Sequence, residues 1–273
     1  NQNKNLQYFI YSFHMPLFFI ISGYLYETKE KNYYLPLKEI ANRKTELVVF
    51  ISEQGREYFI NRFKTPASKE LFRLGVKKQK KNEINIKNNE LSLYSFSYVV
   101  PVKRLDKIID ALQGVPENIK ISWTHIGGGK LFDEITSLAD EKLGNKENIT
   151  YSFTGPIENQ DALKFIGESD FDLLINTSDS EGLPVTMMEA ASFGIPVLAL
   201  DVGGVNEIVK DGETGYLLPA DAPVSMITET LISHTNLSTE QVEKMHNNAY
   251  EMWYNNFHDD KNYEDFAERL FCL

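Results

Sequence analysis

Residues Phe171 to Asp201, FDLLINTSDSEGLPVTMMEAASFGIPVLALD, allow this chain few folds. Leu173-Leu174-Ile175 is an apolar run suited to a buried strand. A polar loop follows from Asn176 to Gly182, and Pro184 falls where a first helical residue is expected. The helix then runs to about Phe193, and Gly194 supplies a C-terminal stop. A second buried strand spans Pro196 to Leu200. Two apolar strands joined through a helix make one unit of a parallel sheet with helices on its faces. Ligands of such sheets sit at the carboxyl ends of the strands, which puts Ser178 to Pro184 on the ligand-facing rim.

The chemistry of that rim is mixed. A helix N-terminus there offers free N–H groups and a partial positive charge, which suit phosphate oxygens. Glu181 in the loop and Glu189 inside the helix are acceptors for sugar hydroxyls. Glu243 and Glu251 share the same spacing but lie in an unbroken helical stretch, and they read as a solvated face. Context separates the two pairs: a strand before Glu181, Gly-Leu-Pro after it, and a helix under Glu189. With these residues in view, SEGLPVTMMEAASFGIPVLALDVGGVNEIV resembles the donor-binding signature of glycosyltransferase family 4, retaining enzymes of the GT-B fold. The resemblance implies that Glu181 lies near the donor sugar and that Glu189 holds the ribose hydroxyls. It also implies that Gly182, Leu183 and Pro184 face the sugar and phosphates.

The chain has 273 residues, room for one or two domains. Its net charge of −11 argues against a nucleic-acid binder. Cys272 is the only cysteine, which leaves no intrachain disulfide and fits a reducing, cytoplasmic setting. The five histidines are scattered without metal-ligand spacing, so no metal is expected. No cofactor is expected beyond a nucleoside diphosphate sugar as donor substrate.

Tyr8 to Tyr26, YFIYSFHMPLFFIISGYLY, carries no charged residue and approaches the ~20 residues that span a bilayer. It reads equally as a membrane helix or as a buried helix or hairpin, and it lacks the flanks of a signal peptide. Its FHMPLFFIISGYLY resembles membrane acyltransferase family 3, especially fucose 4-O-acetylase-like members. Membrane association through this segment would place the chain at the inner face of the cytoplasmic membrane. Residues 1–35 are therefore expected to form a hydrophobic segment with an N-terminal helix. Residues 36–88, with a strand at Leu47–Ser52, a helix at Glu53–Phe63 and a solvated basic linker from Lys77, resemble the last pieces of an acceptor domain.

Residues 89–273 are expected to form the donor domain, a Rossmann-like α/β sheet with helices on both faces, the C-terminal half of a GT-B fold. Its first strand is expected over Leu91–Val100 and its first helix over Lys103–Leu112, with Leu105, Ile108, Ile109 and Leu112 on one face. SYVVPVKRLDKIIDAL resembles the family's first strand–loop–helix, whose Arg and Lys bind the donor diphosphate. Lys103 matches the Lys, Tyr98 stands at the Arg position, and the adjacent Arg104 is the compensating candidate. Read without the family, Lys103-Arg104 is a first-turn pair opposed by the helix dipole. Gly127-Gly128-Gly129 follows a strand over Ile119–Ile126; it reads as a tight turn, and by resemblance Gly128 lies beside the donor. Gly203 and Gly204, before a helix through Glu207 to Val209, are expected to face the diphosphate. Ser238 with Gln241 forms a capping box. Trp253, Tyr254, Phe257 and Phe266 are the expected packing residues of the C-terminal helices.

By resemblance, Lys103 and Glu181 are the catalytic candidates. The implied reaction moves a sugar from a nucleoside diphosphate to a hydroxyl of a glycan or lipid-linked acceptor, in surface polysaccharide synthesis. Only the end of an acceptor domain fits ahead of residue 89, so loss of transfer is part of the expectation. The other readings are a non-catalytic nucleotide-sugar-binding module and a membrane O-acyltransferase fragment.

Overall fold

The computed structural model describes residues 47–64, 66–82, 84 and 88–271. Tyr8–Tyr26 lies outside them, and with it the expected N-terminal helix and the acyltransferase-like piece. Among the described residues no helix is long and apolar enough to cross a membrane. The strands are β1 (Leu47–Phe50), β2 (Ser68–Leu71), β3 (Glu90–Phe96), β4 (Lys120–Ile126), β5 (Ile149–Phe153), β6 (Leu173–Asn176), β7 (Val197–Leu200) and β8 (Gly215–Leu218). The helices are α1 (Glu53–Arg62), α2 (Leu105–Gln113), α3 (Phe132–Leu143), α4 (Asn159–Gly167), α5 (Val185–Ser192), α6 (Val224–Thr235), α7 (Thr239–Asn256) and α8 (Asp259–Phe271).

The chain divides into two compact units, Asn1–Gly75 with Asn256–Leu273, and Val76–Asn255. In the first, β1 and β2 pair in parallel around α1, whose first turn is capped by Ser52, its hydroxyl accepting from Gly55 N–H at 3.2 Å. The sequence offered no strand signal at Ser68–Leu71, where three of four residues are polar. Glu70 on β2 accepts a bidentate bond from Arg269 on α8, at 2.8–3.0 Å. Phe266 stacks near Phe72, ring centroids 5.2 Å apart.

The second unit is a six-stranded sheet in the order β5-β4-β3-β6-β7-β8. Every pairing within it is parallel. From β3 the chain steps outward to β4 and β5, then returns to lay β6 on the other side of β3. Right-handed crossovers therefore send helices to opposite faces on the two sides of that reversal. Leu93, Trp123, Leu173 and Leu198 point to one face, where Ile108, Ile109 and Leu112 of α2 and Ile227 and Leu231 of α6 cover them. The alternate residues Tyr94, Leu174 and Ala199 are at most 1% exposed, so the central strands are covered on both faces.

Several boundaries differ from the sequence reading. β3 stops at Phe96, because both backbone groups of Val99 turn to the neighbouring loop: its N–H donates to Gly128 O at 2.9 Å and its carbonyl accepts from Leu131 N–H at 3.1 Å. Lys103 closes a 3₁₀ turn, Pro101–Lys103, and Arg104 is the N-cap of α2 in the left-handed region, φ 47°, so neither is a first-turn residue of the helix. Pro184 caps α5 from an extended conformation, and the helix begins at Val185. Gly203–Glu207 is a 3₁₀ turn in place of the expected helix through Glu207 to Val209. Tyr254 is 54% exposed: it sits one residue past Trp253, outside the buried stripe Val242, Met245, Ala249 and Trp253 of α7. The Ser238–Gln241 capping box is present, with bonds of 2.9 and 3.3 Å, and Gly194 ends α5 at φ 76°.

Candidate functional site

The strand order reverses between β3 and β6, and the loops leaving their carboxyl ends lie where open α/β sheets bind ligands. These two loops are knitted together. Thr177, fully buried, donates its hydroxyl to the Arg104 carbonyl at 2.8 Å. Asp179 N–H donates to the Val102 carbonyl at 2.9 Å. Across this junction Lys103 Nζ meets Glu181 Oε1 at 2.7 Å, and Asn176 Nδ2 donates to the same oxygen at 3.0 Å. The Glu181 side chain is only 9% exposed and Lys103 22%, so the pair is shielded more than an ordinary surface pair.

Arg104 lies beside this pair but points elsewhere. Its guanidinium bonds Asp106 at 2.9–3.2 Å and Asp179 at 3.1–3.2 Å. Those two carboxylates push its pKa above the ordinary arginine value. Lys107 also reaches Asp179, at 3.1 Å. The basic groups of this rim are thus matched by acids, and Tyr98, the neighbour on the β3 loop, is 76% exposed.

The loop after β7 locks onto the loop after β6. Gly204 N–H donates to the Gly182 carbonyl at 2.8 Å. Gly203 has φ 58°, and a Cβ there would lie 1.8 Å from the Glu181 carbonyl oxygen. Only glycine satisfies both the left-handed backbone and the close approach. The Cβ side of Gly182 opens onto free space, whereas Leu183 is 8% exposed and Pro184 is buried. Because Pro184 offers no side-chain cap, the first N–H groups of α5 have no capping acceptor from it. The 3₁₀ turn Gly203–Glu207 stands where a helix was expected, so this loop adds no α-helix N-terminus to that of α5.

Gly128 belongs to the next loop, after β4. A Cβ on it would approach Pro156 Cδ to 2.8 Å, so its missing side chain lets the β4 and β5 loops meet. Glu189 lies deeper, inside α5. It is 7% exposed; Asn159 Nδ2 donates to its Oε1 at 3.1 Å, and among the described residues its buried Oε2 has no hydrogen-bond partner. Burial pushes its carboxyl up to about 7, a shift the Asn159 bond partly opposes. The Tyr94 hydroxyl, also buried and without a partner among the described residues, is raised by burial and by the charge of Glu189.

The fold thus brings Lys103, Glu181, Gly182, Gly203 and Gly204 into one bonded cluster. It places Gly128 and Glu189 at the same carboxyl edge without a direct bond to that cluster, and it turns Arg104 toward two aspartates. Sequence reading missed Asn159, Asn176, Thr177 and Asp179. A signal was present for three of them, in the polar run Asn176 to Asp179 that breaks off a buried strand. Asn159 carried none. At the start of α8, His258, Asp259 and Asp260 lie close enough to share an ion, and Asp259 Oδ1 accepts from Asp260 N–H at 2.9 Å.

The class these features define is a doubly wound α/β domain with a charged cluster of loops at its switch point. Residues 76–252 match the family model described as Glycosyl transferases group 1, and the chain belongs to that family. It is 26% identical to the N-acetyl-alpha-D-glucosaminyl L-malate synthase of Bacillus anthracis, over 64% of this chain and 45% of the relative. It is also 26% identical to a GDP-mannose-dependent alpha-(1-6)-phosphatidylinositol monomannoside mannosyltransferase of Mycobacterium tuberculosis, over 69% of this chain and 53% of the relative. The chain spans about half the length of these curated relatives. In fold it resembles HepE of Anabaena in complex with UDP-glucose, TM-score 0.70 at 20% identity, over 93% of this chain and 70% of that one. It likewise resembles the pneumococcal O-GlcNAc transferase GtfA in complex with UDP and GlcNAc, TM-score 0.68 at 18% identity, over 88% and 47%.

Proposed function

We propose that this chain binds a nucleoside diphosphate sugar at the β3/β6 crevice and forms the donor half of a retaining glycosyltransferase. The acceptor is a hydroxyl of a glycan or a lipid-linked saccharide, in the assembly of a surface polysaccharide. The observation that carries the reading is the Lys103–Glu181 pair, held where the strand order reverses. An ammonium group has three donors and no acceptor. Lys103 can therefore keep Glu181 in place and still donate to a phosphate oxygen. As the bond from sugar to diphosphate breaks, negative charge grows on the leaving oxygen, and a preplaced cation with the N-terminus of α5 stabilises it. Glu181, fixed by Lys103 and Asn176, orients the donor sugar through its hydroxyls. Glu189 accepts from the ribose. Relatives named as a GDP-mannose-dependent mannosyltransferase and as a UDP-N-acetylglucosamine–peptide N-acetylglucosaminyltransferase subunit support a nucleoside diphosphate as the shared part of the donor. Attachment to the inner face of the cytoplasmic membrane through Tyr8–Tyr26 belongs to the same proposal.

Calorimetric titration of the full chain with UDP and with GDP tests it. At least one should bind, and Lys103→Ala should bind it roughly 10- to 100-fold more weakly, the loss expected for one charge-assisted hydrogen bond of about 1.5–3 kcal/mol. A folded chain that takes up neither nucleotide, or a Lys103→Ala variant that binds as tightly as the native chain, overturns the reading.

A further inference from the structure

Glu189 presents a problem that the crevice itself does not solve. A ligand hydroxyl donates most strongly to it when the carboxylate is ionised, because the protonated acid keeps fewer and weaker acceptor positions and turns one oxygen into a donor. Yet the group is 7% exposed, and burial favours the neutral form. Among the described residues, β3 and α4 each bring a polar group to it. From β3 comes Tyr94, a buried hydroxyl that ionises only at high pH and supplies no positive charge. From the start of α4 comes Asn159, whose amide donates to Oε1 at 3.1 Å. Asn159 is itself exposed and is the first residue of α4, so a surface side chain reaches in to a buried acid. Among the described residues no other hydrogen bond reaches either carboxylate oxygen, and Oε2 has none.

We infer that Asn159 is a positioning residue for Glu189. Its amide fixes the rotation of the carboxylate and favours the ionised form, and so sets the acid limit of ligand binding at this end of the crevice. The inference rests on the reading of Glu189 as a hydroxyl-binding group. The amide uses one acceptor position on Oε1 and leaves the remaining lone pairs for the ligand. Without it the carboxyl holds its proton to higher pH, and hydroxyl binding begins later on the pH scale. With a second carboxylate in its place the effect is larger, since like charges at this distance oppose ionisation.

The test measures UDP and GDP binding by the full chain from pH 5.5 to 9, beside Asn159→Ala, Asn159→Asp and Glu189→Gln, with thermal melting as a check of folding. The ligand's own phosphate titration is common to all four proteins and cancels in the comparison. The pH at which binding is half-developed should rise in Asn159→Ala and rise further in Asn159→Asp, while Glu189→Gln loses that protein-borne pH response. In parallel, carbon NMR of labelled glutamate follows the Glu189 carboxyl directly without nucleotide. A midpoint that climbs in Asn159→Ala supports the positioning role even if neither nucleotide binds, an outcome that would strike down the proposed function alone. A carboxyl midpoint unchanged in a folded Asn159→Ala protein, or affinity lowered equally at every pH, overturns the inference.

Discussion

A carboxyl group inside a helix, 7% exposed and with one oxygen unpartnered, costs stability for as long as it is ionised. For Glu189 the folded pKa, about 7, lies above the unfolded value of 4.5. Between those values the folded state holds more protons than the unfolded chain, so stability falls as pH rises through that window. Replacement by Gln removes the charge and keeps the shape. Glu189→Gln should therefore raise the urea midpoint at pH 8, by up to about 3 kcal/mol in free energy, and leave it nearly unchanged at pH 4.5. Denaturation curves at the two pH values measure this directly. A residue that weakens its own fold where an ionised carboxylate is useful fits a site selected for binding. Sequence alone brought Glu181 and Glu189 forward, because strand, Gly-Leu-Pro and helix surround them. It left Asn159 and Thr177 unmarked, because a surface amide and a threonine acquire a role only from the atoms opposite them.

At the scale of elements, the crevice is a set of loops fastened to one another. Thr177 and Asp179 tie the β6 loop to the β3 loop, and Gly203 and Gly204 press the β7 loop onto the β6 loop. A methyl group at Gly203 would have to enter the space of the Glu181 carbonyl oxygen, 1.8 Å away, from a left-handed backbone. Gly203→Ala should cost more than about 1–2 kcal/mol, the strain of φ alone. It should also displace Glu181 from Lys103, weakening nucleotide binding well beyond the loss in stability. Gly182→Ala, with open space at its Cβ, is the contrasting control. Calorimetry of both variants beside thermal melting distinguishes the two effects. Strand and helix cores followed from periodicity, as in the apolar face of α2. Their ends did not: β3 stops at Phe96 because Val99 is drawn to Gly128, a partner nearly thirty residues away in sequence.

At the scale of the whole molecule, three buried histidines among the described residues contribute to the response to acid. Burial lowers His125 to about 4, His234 to about 4 and His246 to about 3, against an ordinary 6.5. Burial holds each neutral in the folded state, and two of them also have a polar neighbour: His125 Nδ1 pairs with Ser95 Oγ at 2.8 Å and His234 Nδ1 with the Tyr216 hydroxyl at 2.9 Å. Below 6.5 the unfolded chain takes up protons that the folded chain refuses, so stability present above that pH drains away as pH falls toward 4. The combined slope of three such groups outweighs the opposite slope of Glu189. The melting temperature should fall steeply between pH 6.5 and 4, and a His246→Gln variant that remains folded should show a shallower fall. Scanning calorimetry across that range reads both. The sequence by itself determined the alternation of strands and helices, the parallel sheet and the place of Glu181 on its rim, because burial periodicity and glycine or proline stops act over a few neighbouring residues. Only the tertiary structure decided the order β5-β4-β3-β6-β7-β8, the pairing of Lys103 with Glu181 rather than of Arg104, and the bond from Asn159 to Glu189. Those depend on which distant segments close against one another, and a local pattern carries no record of the atoms it will face.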